Sequence, residues 1–129
     1  LEMKEIRIPL KEEIHVYTAF LLSVNWLRKK KLAPKEMEIL AHFMYYHNKY
    51  SNLEPDMQKE LLFSTTTRNK IKEALNLKPV VFDNYMKSLR SKEVIVNSEI
   101  KPSLLIKPVN GKFSLTLTFD ATRNQENNS

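Results

Sequence analysis

The chain reads as an α+β domain, helical through its middle and strand-forming towards its end. Two observations carry this. Apolar residues recur at helical spacing in adjoining segments, Ile71-Ala74-Leu75 and Phe82-Met86-Leu89. Further on, Asn110-Gly111 separates two strand-like runs, and Leu115, Leu117 and Phe119 alternate with Ser114, Thr116 and Thr118.

Taken in order, Ile6, Ile8 and Leu10 alternate with other residues and predict a short edge strand, limited by Pro9 and a charged cluster. Ile14, Tyr17, Leu21, Val24 and Leu27 then follow helical spacing, so a helix is expected to about Arg28. A strand over 15–22 is the competing reading, because β-branched and aromatic residues are frequent there. Arg28-Lys29-Lys30-Lys31 either complements a helix C-terminus or forms a patch for phosphates. Pro34 opens a helix to Lys49, with Glu36 and Glu38 in its first turns and an apolar face of Met37, Leu40, Ala41, Met44 and Tyr45. Residues 50–63 read as a connection with one helical turn at 56–62.

The hydroxyls of Ser64-Thr65-Thr66-Thr67 predict an N-cap for a helix ending at Leu75. Asn76 stands where a left-handed residue ends a helix, and Pro79 falls at the first position of the next. Val94 to Val96, Ser103 to Lys107 and Lys112 to Phe119 are expected as strands. A single domain over residues 1–121 follows, with 1–33 as an N-terminal extension and 122–129 as a polar tail without core residues.

The 129 residues suffice for one core of ordinary apolar content. No cysteine is present, which excludes disulfides and cysteine-ligated zinc. The longest apolar run is far too short to cross a bilayer, and no signal sequence opens the chain. A cytoplasmic setting is expected, including a host cytoplasm or a virus particle. His42 and His47 are five residues apart and share no helix face, and neither they nor His15 belong to a metal-binding pattern. There is one glycine, hence no glycine-rich phosphate loop, and no Ser-His-Asp or paired-carboxylate arrangement. Neither catalysis, a metal nor a cofactor is expected.

The net charge of +6 is unevenly placed. Residues 61–112 carry ten basic and four acidic side chains, a net of +6, whereas residues 1–60 carry ten and nine. A positive excess concentrated on one stretch is the electrostatic footprint of a nucleic-acid binder, although lysine also simply solubilises surfaces.

Residues 71–95 resemble the helix-turn-helix of winged-helix regulators of bacteria and phage. The family pattern of Ala-Leu-Gly-Leu-polar, an apolar-striped helix and an apolar strand entry is matched by Ala74, Leu75, Asn76, Leu77 and Lys78. Phe82, Met86 and Leu89 follow, then Val94 and Ile95, with Asn76 in the glycine place. Residues 34–119 fit more loosely. The resemblance implies a winged helix-turn-helix fold with a C-terminal β-hairpin wing and an extra N-terminal strand and helix. It implies binding of double-stranded DNA, in transcription or replication control, with the second helix in the major groove.

On that resemblance, Lys78, Pro79, Val80, Val81, Asn84, Lys87 and Ser88 face the groove. Asn84 suits adenine edges, and Val80 or Val81 thymine methyls. Lys78, Lys87 and Arg90 suit phosphates, as do Arg68 and Lys70 on the first helix and Lys107 and Lys112 on the wing. Three features weigh for a protein partner on the same helix: no arginine at its leading end, Asp83 beside that end, and an apolar Val80-Val81-Tyr85 surface. The alternative function is therefore a non-enzymatic interaction or structural adaptor module, as in a phage particle or polymerase complex. The spacing fixes neither the DNA site nor the oligomeric state.

Overall fold

In a computed structural model, the described residues are 7, 9–116, 118 and 121. They form five α-helices and one two-stranded antiparallel sheet, a mostly helical arrangement compatible with the α+β class. The helices are α1 (Ile14–Asn25), α2 (Pro34–Lys49), α3 (Pro55–Leu62), α4 (Thr65–Leu75) and α5 (Pro79–Ser91); β1 (Ile95–Val96) pairs with β2 (Glu99–Ile100).

Helix α2 is the hub. It packs on α1, α3, α4 and α5, and Met37, Ile39, Leu40, Ala41, Phe43 and Met44 are all buried. Burial therefore wraps well beyond the expected stripe, as it must for a helix with neighbours on several sides. Phe43 stacks on Phe63 at 4.9 Å between centroids, while Tyr17 meets Tyr45 edge-on. Asn48 ties three segments together, donating to the Tyr17 hydroxyl and to the Ile106 carbonyl, each at 2.8 Å. Burial raises the pKa of Tyr17, and the Asn48 bond only partly offsets it.

Helix α1 settles the helix-or-strand ambiguity of 15–22 in favour of helix, but it ends at Asn25 rather than Arg28. Asn25 stops it by closing a loop, accepting from the Leu32 N–H at 2.8 Å and donating to the Leu32 carbonyl at 3.1 Å. Leu27 consequently lies beyond the helix and is 61 % exposed instead of buried. The connection over 50–63 contains a full helix, α3, started by Pro55 with Asp56 in its first turn.

Helix α4 starts as expected. The Ser64 hydroxyl accepts from the Thr67 N–H, and the buried Thr67 hydroxyl donates to the Leu61 carbonyl at 2.7 Å. It ends at left-handed Asn76 (φ 54°), with the Leu77 N–H returning to the Lys72 carbonyl. On its inner face Ile71 is buried and Leu75 half-buried, but Ala74 is exposed, contrary to the expected stripe. Pro79 is the first residue of α5, whose Phe82, Met86 and Leu89 are buried as the periodicity required.

The strand expectations need correction. The sheet is the tight hairpin 95–100, turned by Asn97 and Ser98, both left-handed (φ 54° and 57°), the pattern of a type I′ turn. Ser103 and Leu104, expected to open the strand Ser103 to Lys107, lie instead in a 3-10 turn, Pro102–Leu104. Asn110 and Gly111 do make the expected turn (φ 54° and 70°), but it is closed only by a single bridge between Val109 and Lys112. Pro102 opens the 3-10 turn that takes up the start of the first expected strand, and Pro108 falls in the connection between the two. Around Leu10 the described residues form no strand; Ile6 and Ile8, like Leu117, Phe119 and the tail 122–129, lie outside the described residues.

Candidate nucleic-acid interface

The site is built on α5. Its inner stripe is clamped against α2, so the opposite face projects outward. Val80, Val81, Asn84 and Lys87 share that face at helical spacing and all are exposed, Val80 at 71 %. Lys78 precedes the first turn and Arg90 closes the last, both exposed. Tyr85 does not belong with the two valines, because it is half-buried and packs against the core. Ser88 is half-buried, on the side of α5 where it helps to lower the pKa of Glu36.

Helix α4 supplies two flanking cations. Arg68 lies 3.7 Å from Asp83 in an exposed pair, so Asp83 is matched across the helices rather than being a free solvated charge. The pair is exposed to solvent on both sides, so Arg68 partly offsets this acid of α5 while remaining accessible. Lys70 stands over the Tyr46 ring at 5.7 Å. Lys107 and Lys112 are exposed but line a depression of about 520 Å³ with Phe20 and Phe113, against α1 rather than beside α5. The structure therefore gathers Lys78, Val80, Val81, Asn84, Lys87 and Arg90 on one helix, with Arg68 next to them. It leaves Lys107 and Lys112 elsewhere.

The far end of α5 holds what the spacing gave no sign of. Glu36, buried on α2, accepts from Lys92 at 2.6 Å and from the Ala33 N–H at 2.7 Å. Burial pushes its pKa up, but the bonds from Lys92, Ser88 and Ala33 outweigh this and hold the carboxyl below its usual range. Arg28 donates to the Lys92 carbonyl at 2.9 Å, and Lys30 approaches the Ser91 carbonyl at 3.5 Å. Lys31 reaches back to the Trp26 and Arg28 carbonyls. The basic run thus serves the C-terminal ends of two helices, α1 and α5, where cations satisfy free carbonyls and complement the dipole.

Among the described residues there is no cluster of His, Cys, Asp or Glu able to hold a metal ion, and no helix long and apolar enough to cross a membrane. No protein-family model matches the chain, and comparison with the curated proteins and with solved structures returns no match either.

Proposed function

We propose that this protein binds double-stranded DNA as a winged helix-turn-helix module, with α5 entering the major groove, in transcription or replication control of a bacterial or phage system. The observation that carries the reading is the outward face of α5, with Asn84 and Lys87 projecting from a helix fixed on its opposite side. On this reading α4 and α5 are the two helices of the motif, and the turn at Asn76 sets their angle. The wing is the hairpin 95–100, which follows α5 directly, and not the segment around Asn110-Gly111. Asn84 has the chemistry to read an adenine edge, and Val80 and Val81 to meet thymine methyls. Lys78, Lys87, Arg90, Arg68 and Lys70 supply the phosphate contacts.

Fluorescence polarisation with mixed-sequence duplex DNA at two salt concentrations tests the reading. Submicromolar binding that weakens steeply with salt supports it, because each neutralised phosphate releases counterions. Absence of binding at low salt rejects it in favour of a second reading, a protein-docking adaptor. The exposure of Val80 and Val81 at the leading tip of α5 favours that alternative, since adjoining exposed apolar side chains suit a desolvated protein contact.

A further inference from the structure

At the other end of α5 from the α4–α5 turn, the loop after α1 meets the exit of α5 and forms a groove of about 510 Å³. Its floor is aliphatic and aromatic: Phe20 and Val24 of α1, Leu27 and Leu104. Its rim is cationic, with Arg28, Lys29, Lys30, Lys92 and Lys101 against one carboxylate, Glu93.

These cations are not equivalent. Lys92 is spent on Glu36, and Arg28 and Lys30 are turned toward backbone carbonyls. The ammonium groups of Lys29 and Lys101 have no hydrogen-bond or ion-pair partner among the described residues, and both side chains are exposed. The floor is equally unfinished, since Leu27 stands largely in water. A groove with an uncompensated positive rim over an apolar floor asks for two things at once, negative charge and an apolar anchor. A nucleic-acid strand supplies the charge, but its bases are held by exposed stacking rings. Phe20, the one ring lining the groove, is almost fully buried, and the exposed ring of Trp26, next to Leu27 in sequence, lies outside that lining.

We propose that this groove docks a short acidic segment of a partner protein. One apolar side chain of that segment covers Leu27 and Val24, and flanking carboxylates pair with Lys29 and Lys101. The proposal goes beyond DNA binding and uses none of the outward residues of α5, so either can fail without the other. Glu93 enters as the opposing charge. It sits at φ +64°, directly after α5, where its N–H returns to Arg90 and the next N–H to Leu89. Glycine fits that left-handed position better.

The test uses the whole protein and a short synthetic peptide with one phenylalanine between pairs of glutamates. Trp26, the only tryptophan of the chain, adjoins Leu27 and reports binding by its fluorescence. The expected result is saturable binding, weakened by about tenfold or more in the Lys29→Glu/Lys101→Glu variant and tightened by Glu93→Gly. Replacing the phenylalanine by serine is expected to cost a similar factor. Both lysines are exposed, and an unchanged circular dichroism melting curve verifies that their replacement leaves the fold intact. Three outcomes each overturn the proposal: no binding by the wild type, equal binding of the serine peptide, or equal binding of an oligothymidylate of matched length and charge.

Discussion

The two ends of α5 are treated in opposite ways. Its first two turns carry Val80, Val81 and Asn84 into solvent, and Lys78 gives no side-chain cap. Its last turn is held by Arg28 and Lys30 from the loop after α1, and by Glu36 of α2 through Lys92 and Ser88. Between them Phe82, Met86 and Leu89 fix the rotation of the helix. A helix anchored at one end and presented at the other offers side chains in a defined geometry without burying them, which is what a reading surface requires.

The largest perturbation removes the shared anchor. Phe82 is fully buried beneath the presented end, with Lys72 over its ring at 5.5 Å. Phe82→Ala is expected to cost about 3–5 kcal/mol in chemical denaturation, and a loss below 1 kcal/mol would mean that the presented end is not held from beneath.

Next in size is the tied end itself. Glu36→Ala removes hydrogen bonds from a charged lysine and a backbone N–H. About 1.5–3 kcal/mol is expected, short of a fully buried pair because Lys92 retains access to water. The pH dependence has a definite sign. The folded carboxyl has a depressed pKa, so its contribution is present above the ordinary value of 4.5 and is lost as pH falls below it. The stability gap between wild type and Glu36→Gln should therefore narrow on acidification below that value. A gap that widens would contradict the assigned hydrogen bonds.

Smaller again is the exit of α5. Glu93→Gly relieves a left-handed non-glycine residue and is expected to stabilise by about 0.5–1 kcal/mol, despite the greater freedom of glycine in the unfolded chain. A loss of stability there would show that the Glu93 side chain supports the fold.

The features legible in the sequence are those written in neighbouring residues. Ser64, Asn76 and Pro79 mark helix ends by their own backbone chemistry, and the Phe82-Met86-Leu89 stripe shows in its spacing. The tied end was not legible, because Arg28 and Glu36 reach Lys92 across 64 and 56 residues. The basic run could be seen, but not that it closes a helix far along the chain. Of the hairpin 95–100 the strand at Val94 to Val96 was legible, but its turn and return strand were not, because β2 is two residues long and Asn97-Ser98 lacks glycine. The stronger turn signal at Asn110-Gly111 marks a turn that, among the described residues, is closed by a single bridge. On the outward face, Val80, Val81, Asn84 and Lys87 are exposed as the periodicity required, whereas Ser88 is half-buried beside Glu36.

The smallest expected effect on folding falls at the presented end. Val81→Asp should change stability by no more than about 0.5 kcal/mol, because the site is exposed and a negative charge suits a helix N-terminus. The same change is expected to abolish any contact that buries this tip. Unfolding of the variant would assign Val81 to the core and remove the presented face from the account.

The central claim, that the outward face of α5 meets DNA, is tested most directly by the salt dependence of binding in a Lys87→Ala/Arg90→Ala variant. Both side chains are exposed and outside the hydrogen bonds that hold the helix. The account predicts weaker binding to all duplexes and a log–log salt slope flatter by about one to two units. An unchanged slope in a folded variant would contradict it, placing these side chains away from the phosphates.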